Sequence, residues 1–126
     1  MKYNSYKILV VDDNLTFVET LSYMIKTILG DKLLLLDSAN NGKIAIEKAI
    51  KNNYNIIFMD VNIPEMNGIY ATKIINRELY RQTKIVCISF NRDFNTLNDM
   101  ILSGAENYIY KDELTIEKIE KIFNEL

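Results

Sequence analysis

Carboxylate side chains follow two buried apolar runs in this sequence, and their position makes them candidates for chemistry. The run from Ile56 to Met59 is too short for a helix, suits a strand buried on both faces, and ends in Asp60. An earlier run, Lys7 to Val11, ends in Asp12 and Asp13. Ligands of open α/β sheets collect at the carboxyl ends of the strands, so these carboxylates are candidates for a site. The alternative for each is a helix cap or a turn residue.

Two further apolar runs end in polar residues of other types. Lys84 to Ile88 leads into Ser89, and Asn107 to Tyr110 leads into Lys111. If these strands are parallel, three carboxylates, a hydroxyl and an ammonium meet at one edge of the sheet. Such carboxylates are driven toward protonation unless a cation lies among them, and their oxygens suit Mg²⁺, with Mn²⁺ as an alternative ion. With Lys111 and Ser89 as partners for phosphoryl oxygens, the cluster is predicted to place phosphate on a carboxylate. The alternative for Lys111 is a solvated surface lysine.

The elements that position these residues alternate between strand-like and helix-like segments. Leu33 to Leu36 is the remaining strand, and Gly30 and Gly104 are predicted to end the first and fourth helices. Five strands and five helices in alternation predict an α/β fold with a mostly parallel sheet, right-handed crossovers and helices on both faces. The apolar positions at helical spacing are Phe17, Leu21, Met24, Ile25, Ile28 and Leu29; Ile44, Ala45 and Ala49; Ile69, Ile74 and Leu79; Phe94, Leu97, Ile101 and Leu102; and Ile116, Ile119, Phe123 and Leu126.

Length and composition exclude several classes of protein. The 126 residues predict a single domain, 1–126, with a core of its own and no second domain in this chain. The balance of 15 basic and 17 acidic residues gives no overall attraction to nucleic acid, and no apolar run approaches the length of a membrane span. The single Cys87 lies in an apolar run and is predicted to be a buried residue of a cytoplasmic protein. The chain has no histidine, so any phosphohistidine must belong to another protein.

Five motifs occur in order along the chain. They are LVVDD at Leu9–Asp13, A-x-N-G-x-x-A at Ala39–Ala45, M-D-x-x-x-P-x-x-x-G at Met59–Gly68, a hydroxyl at Ser89, and G-A-x-x-Y-x-x-K at Gly104–Lys111. Each is common alone, but in this order they make nearly the whole chain resemble the receiver domain of two-component response regulators. The resemblance implies a flavodoxin-like (βα)5 doubly wound sheet with strand order 2-1-3-4-5.

The resemblance also implies a role for each candidate residue. Asp60 is expected to be the phosphoacceptor, and the donor a sensor histidine kinase or a phosphotransfer protein. Asp13, Asp60 and the backbone carbonyl of Asn62 are expected to hold Mg²⁺, with Asp12 acting directly or through water. Lys111 is expected to pair with the phosphoryl oxygens.

A conformational switch is the expected output. Ser89 would hydrogen-bond a phosphoryl oxygen and draw its loop inward, and Tyr108, the match to the family's switch aromatic, would turn inward with it. The changed surface would be helix four, strand five and helix five, facing a downstream protein, a linked output domain or a second copy of the chain. No turnover of external substrates is expected beyond self-catalysed phosphotransfer and slow self-dephosphorylation, and neither membrane nor direct nucleic-acid binding is expected. For Asn62 and Tyr108, the alternatives are a turn residue and half-buried packing.

Two departures from the family pattern concern the surroundings of the site. Asp112 follows Lys111 where a proline is usual, and this Lys-Asp ending resembles regulators with a C-terminal helix-turn-helix output domain. Phe90 follows Ser89 where small residues are usual, so Phe90 and its neighbour Asn91 are expected to modulate phosphodonor access or hydrolysis.

Other protein classes account for the residues less well. A flavin-binding domain of the same architecture needs a phosphate loop after strand one, where Asp12 and Asp13 would repel phosphate. A phosphohydrolase with an aspartyl-phosphate intermediate needs a general acid at the position of Asn62, which has no acidic proton to donate. The remaining alternative is a receiver-like module that binds partners without phosphorylation, whose mark would be loss of Asp60, Lys111 or the acidic pair.

Overall fold

A computed structural model describes residues 2–79 and 82–126 of the chain. Five strands and five α-helices alternate along these residues, and single 3-10 turns follow the first helix and the last strand. The elements are β1 Tyr6–Val11, α1 Leu15–Leu29, β2 Leu33–Ala39, α2 Gly42–Asn52, β3 Ile56–Asp60, α3 Gly68–Glu78, β4 Lys84–Ser89, α4 Phe94–Ser103, β5 Ala105–Tyr110 and α5 Ile116–Glu125.

The sheet has the expected topology. Its strands run in the order β2-β1-β3-β4-β5, and every adjacent pair is parallel. Alternate residues of β3 face opposite sides: Phe58 packs with α1 and α5, whereas Ile57 and Met59 pack with α2, α3 and α4. Two apolar layers of helices therefore cover the sheet, which confirms the predicted α/β fold with helices on both faces.

The edge strands are longer than their apolar runs. The predicted second strand stops at Leu36, but β2 continues through Asp37 and Ser38 to Ala39. An edge strand has a partner on one side only and tolerates polar residues, and here Asp37 accepts a 2.6 Å hydrogen bond from the buried Tyr54 hydroxyl. On the opposite edge, β5 begins at Ala105, before the predicted start at Asn107.

Helix α4 forms where the apolar spacing predicts it, but none of the four apolar residues at that spacing is buried. The one residue of α4 that is fully buried is Met100. Phe94 and Leu102 are 75% and 77% exposed, respectively. A short helix near the edge of the sheet has little sheet beneath it, so most of its apolar side chains remain in contact with solvent.

The helices begin at side-chain caps. Asn14 caps α1 by accepting from the Phe17 N–H, and Asn67 caps α3 by accepting from the Tyr70 N–H. The interpretation of Asp12, Asp13 and Asp60 as helix caps is therefore wrong, but Asp12 does act as a turn residue, since its Oδ1 accepts from the Asn14 N–H at 3.0 Å. Gly30 and Gly104 close α1 and α4 as predicted. Among the helices of the described ranges, none combines the length and apolar character needed to cross a membrane.

Candidate functional site

Three carboxylates converge at the carboxyl end of the sheet. Asp12 and Asp13 follow β1, and Asp60 is the last residue of β3, the strand beside it. One oxygen from each of the three lies within 4.8 Å of the others. Asp12 and Asp60 are buried, whereas Asp13 is exposed at the mouth of the cluster. The convergence predicted from the strand ends is confirmed.

Lys111 reaches this cluster from the end of β5. Its Nζ lies 2.5 Å from Asp12 Oδ2 and donates to Asp60 Oδ2 at 3.2 Å. The Lys111 side chain is only 6% exposed, so it is not the solvated surface lysine of the alternative interpretation. One ammonium therefore faces two buried carboxylates.

The Asp60 carboxyl is held in an unfavourable environment for a charge. Burial and then the charge of Asp12 raise its pKa from 3.8 to about 6, against the opposing effects of Lys111 and of a hydrogen bond from the Asn62 N–H. Asp12 Oδ2 is buried, and its contact among the described residues is the Lys111 ammonium. Three carboxylates that bring one oxygen each within 4.8 Å of one another form an all-oxygen donor set, which fits a divalent cation such as Mg²⁺.

The loop between β3 and α3 is packed tightly around the Asp60 backbone. The Gly68 N–H donates to the Val61 carbonyl at 2.9 Å, and a Cβ on Gly68 would overlap the carbonyl oxygen of Asp60. Glu65 and Met66 of this loop have φ angles of 63° and 138°, which residues other than glycine rarely adopt. The glycine of the Met59–Gly68 motif is thus required by the close approach of the α3 N-terminus to the end of β3.

A second motif supports the same loop from the neighbouring helix. Asn41 caps α2 by accepting from the Ile44 N–H at 2.8 Å. Gly42 has no room for a Cβ because the carbonyl of Met66 lies against it, and its N–H donates to the Pro64 carbonyl at 3.3 Å. The motif at Ala39–Ala45 therefore holds the loop after Asp60 in place and contributes no reactive group.

Ser89 lies at the end of β4, beside Asp60, with its side chain engaged locally. It is buried, and its Oγ accepts a 2.9 Å hydrogen bond from the Asn91 N–H. Asn91 in turn accepts from the Asp93 N–H at 2.7 Å, next to the start of α4. Asn62, two residues beyond Asp60, is exposed. Its N–H contacts the Asp60 carboxyl, while the metal-binding role of its carbonyl stays a prediction.

Tyr108 is 42% exposed on β5, and its ring lies 5.3 Å from that of Tyr110. A cavity of about 10 Å³ separates Tyr108 from Ser89. That space holds about one water molecule and is far too small for a phenol ring. An inward turn of Tyr108 therefore requires movement of the loop that follows Ser89.

Phe90 and Arg92 of the same loop contact the end of β5. Phe90 is 65% exposed, and the centroid of its ring lies 5.3 Å from Lys111 Nζ. Arg92 donates to both carboxylate oxygens of Asp112 at 3.0 and 3.1 Å and stacks on the Tyr110 ring. Asp112, which replaces the usual proline, is thus tied to the loop that begins after Ser89. Sequence reasoning did not identify Arg92, because an isolated arginine in a polar stretch carries no signal of its partner.

Phe17 is another residue of the site that the sequence did not reveal. Its ring centroid lies 4.7 Å from Lys111 Nζ, although its spacing on α1 indicated a core position. Phe17 also packs partly against the core, so the core position predicted from its helical spacing is correct. That position does not account for its contact with Lys111. No pattern in the sequence of α1 relates it to a lysine that follows β5.

Cys87 is inert at this site. It is 2% exposed on β4, and burial, with a smaller effect of the Asp60 charge, raises the pKa of its thiol from 9.0 to about 12. A thiol in that state is protonated near neutral pH and is not a nucleophile. This agrees with its predicted role as a small buried core residue.

Comparison with known proteins identifies the family of this chain. The family model described as the response regulator receiver domain matches residues 8–124. The chain belongs to this family. The transcriptional regulatory protein YdfI of Bacillus subtilis is 36% identical to this receiver domain over 106 residues, which are 84% of this chain and 48% of YdfI. The chain therefore spans about half the length of that relative.

Solved receiver domains have the same fold. The signal receiver domain of NarL from Mycobacterium tuberculosis superposes with a TM-score of 0.85 at 20% identity, covering 98% of this chain and 96% of the other. The receiver domain of the sensor histidine kinase PA1611 from Pseudomonas aeruginosa PAO1 gives a TM-score of 0.83 at 21% identity and 96% coverage of both chains. That structure contains a magnesium ion coordinated in its active site cleft.

Proposed function

We propose that this receiver domain is a Mg²⁺-dependent phosphoacceptor that takes a phosphoryl group from a phosphohistidine onto Asp60. The observation that carries the proposal is the arrangement around Asp60. Its carboxylate is buried, receives a hydrogen bond from Lys111 and shares a cation-binding geometry with Asp12 and Asp13. The magnesium ion in the related PA1611 receiver domain supports the assignment of the cation.

The transfer uses the ionised form of Asp60. With a pKa of about 6, this carboxyl is mostly ionised near neutral pH even before a cation binds. One carboxylate oxygen attacks phosphorus, the N–P bond of the phosphohistidine breaks, and its electron pair returns to the imidazole nitrogen, which takes up a proton. Asp13, Asp60 and the Asn62 carbonyl, with Asp12 directly or through water, would hold Mg²⁺, which would stabilise the negative charge of the phosphoryl oxygens. Lys111 contributes a second positive charge beside Asp60.

The new dianion would change the loop between β4 and α4. Within residues 2–79 and 82–126, the Ser89 Oγ accepts from the Asn91 N–H and donates to no group, so its proton is available for a phosphoryl oxygen. Donation to a phosphoryl oxygen would pull the loop toward Asp60 and make room for Tyr108 to turn inward. A ligand that interacts with one of two states shifts their populations toward that state, so phosphorylation favours the inward one. The altered surface comprises α4, β5 and α5.

The partners in this proposal are a histidine kinase or a phosphotransfer protein as donor, and a protein that reads the altered surface. The reader is a downstream protein, a covalently linked output domain as in a transcriptional regulator, or a second phosphorylated copy. The domain turns over no external substrate, because Asn62 offers no general acid for rapid hydrolysis and leaves only slow self-dephosphorylation. With its one buried thiol, we place it in the cytoplasm, where the donor kinase presents its phosphohistidine.

Beryllium trifluoride, which imitates a phosphoryl group on a carboxylate, tests the proposal directly. We expect it to bind when Mg²⁺ is present and to shift NMR resonances of Ser89, Tyr108 and the α4 backbone, and we expect no binding to Asp60→Asn. Shifts of equal size in Asp60→Asn would place the anion elsewhere. An unresponsive wild-type protein that still binds Mg²⁺ would indicate a receiver-like module that acts without phosphorylation.

A further inference from the structure

Two aromatic rings from different elements lie on the ammonium of Lys111. Phe17 of α1 approaches Nζ to 4.7 Å from its ring centroid, and Phe90 of the loop after β4 approaches it to 5.3 Å. Both distances are within the range at which a cation is attracted by the face of an aromatic ring. The same ammonium contacts the carboxylates of Asp12 and Asp60. Lys111 therefore has two kinds of partner, carboxylates and rings.

Core packing does not account for Phe90. The residue is 65% exposed, and it belongs to neither of the two core clusters on the faces of the sheet. The Lys111 side chain beside it is only 6% exposed. Phe90 is thus in contact with water and helps to shield the Lys111 ammonium from water. Its contact with the ammonium accounts for this position, whereas packing in the core does not.

The contacts of Lys111 with the rings and with the carboxylates respond differently to Mg²⁺ and a phosphoryl group. With Mg²⁺ and a phosphoryl group in the cleft, Asp12 would be a metal ligand, directly or through water, and Asp60 would be an acyl phosphate, which is a mixed anhydride. Lys111 would then exchange its contact with Asp12 for contacts with the phosphoryl oxygens. The ring faces carry no formal charge and compete for neither Mg²⁺ nor phosphate. Once the metal takes up Asp12, the rings would become a larger part of what holds the ammonium, so they would favour the state in which Lys111 faces the phosphoryl oxygens.

We propose that Phe17 and Phe90 are positioning residues that hold the Lys111 ammonium at the phosphoryl site. This inference rests on the function proposed above. Each ring is expected to contribute a factor of about three to the affinity for a phosphoryl group, the size of a partly solvated cation–ring contact. In this role the Phe90 ring favours binding of the phosphoryl group, which is the opposite of hindering access by the phosphodonor.

Matched substitutions at Phe90 separate positioning from access. Phe90→Leu keeps apolar bulk without a ring face, Phe90→Tyr keeps the ring face, and Phe90→Ala keeps neither. The measured quantity is the equilibrium affinity for beryllium trifluoride at saturating Mg²⁺, together with its association and dissociation rates. We expect affinity to fall about threefold in both the Leu and the Ala variants and to change by less than about twofold in the Tyr variant. Phe17→Leu and Phe17→Tyr should give the same pattern, and Tyr23→Leu, an exposed aromatic elsewhere on α1, should change nothing.

Two patterns would overturn the inference. If Phe90 acts only as an obstacle, Phe90→Ala will speed association and dissociation alike with unchanged affinity, and Phe90→Leu will resemble the wild type. If the rings act only by packing, Phe90→Leu and Phe17→Leu will destabilise the folded protein by the same amount whether residue 111 is Lys or Met. A charge-dependent contact instead predicts that this destabilisation largely disappears in Lys111→Met.

The same experiment distinguishes failure of the inference from failure of the proposed function. Wild-type protein that binds beryllium trifluoride, with Leu variants that bind equally well, removes the ring roles and leaves Asp60 as phosphoacceptor. Wild-type protein that does not bind it removes the proposed function, and with it the positioning roles.

Discussion

The Asp60 carboxyl lies in an environment that disfavours its charge. Its pKa lies at about 6 because it is buried and faces the charge of Asp12, and Lys111 offsets only part of this. The unfolded chain releases this proton near the ordinary value of 3.8, so the folded protein binds more protons between those two values. Stability attributable to Asp60 therefore falls as pH rises through this window, the reverse of a salt-bridged aspartate.

Removal of the charge should relieve this cost. We expect Asp60→Asn without Mg²⁺ to raise the free energy of unfolding at about pH 7.5 by about 1–2 kcal/mol, because the amide is neutral and similar in shape. At about pH 4 the wild-type carboxyl is already protonated when folded, so the gain should vanish. Urea unfolding at both pH values measures the difference. A destabilised variant at the higher pH would mean that the ion pair with Lys111 outweighs burial.

A divalent cation should relieve the same cost in the wild type. We expect Mg²⁺ at a hundredfold excess over its dissociation constant to stabilise the fold by about 2.7 kcal/mol, measured as a rise in melting temperature. Asp13→Asn should abolish most of that rise, because Asp13 supplies a ligand at the exposed side of the cluster. Asp31→Asn, in the turn after α1, serves as the control. Equal responses of both variants to Mg²⁺ would show that the metal site is misassigned.

At the scale of elements, the site depends on how closely the β3–α3 loop approaches the neighbouring backbone. Gly68 stands against the Asp60 carbonyl and Gly42 against the Met66 carbonyl, so two glycines in separate motifs fix one loop. The strained φ angles of Glu65 and Met66 persist because these contacts leave the loop few alternatives. The position of the Asp60 side chain is thereby set by backbone packing as well as by strand pairing.

Gly68→Ala tests this packing. The added Cβ would meet backbone atoms of Asp60 and Val61, which belong to or adjoin a central strand and cannot easily move. We expect the free energy of unfolding to fall by about 1–3 kcal/mol, the usual cost of overpacking a rigid site. Lys73→Ala, at an exposed position of the same helix, should change it by less than about 0.5 kcal/mol. If Gly68→Ala lowers the free energy of unfolding no more than Lys73→Ala does, the loop adjusts to the added Cβ and is not rigidly packed.

The sequence predicts best those features that follow from strand ends. Asp12, Asp60 and Lys111 meet because parallel strands bring their carboxyl ends to one edge, and this needs only the alternation of strands and helices. The sequence left the cap of α1 open, because Asp12, Asp13 and Asn14 are adjacent and equally able to cap, and the structure shows that Asn14 is the cap. Strand β2 was predicted too short, because polar residues on an edge strand interrupt an apolar run without ending the strand.

At the scale of the whole molecule, contacts between distant segments are what the sequence leaves open. The rings of Phe17 and Phe90 reach Lys111 through the relative placement of α1, β4 and β5, which no local pattern encodes. The same holds for the link from Arg92 to Asp112, which joins the Ser89 loop to the end of β5. These contacts surround the site with segments from both halves of the sheet. Under the proposed function, they are the route by which phosphorylation of Asp60 would change the surface of α4, β5 and α5.

The most direct test of this account is intact-mass spectrometry after incubation with acetyl phosphate and Mg²⁺. Acetyl phosphate supplies the phosphoryl group without a partner kinase, so the result depends on this chain alone. We predict a mass increase of one phosphoryl group on the wild type, no increase on Asp60→Asn, and loss of the adduct when Mg²⁺ is removed by chelation. An adduct of equal yield on Asp60→Asn, or none on a wild type that binds Mg²⁺, would contradict the assignment of Asp60 as phosphoacceptor.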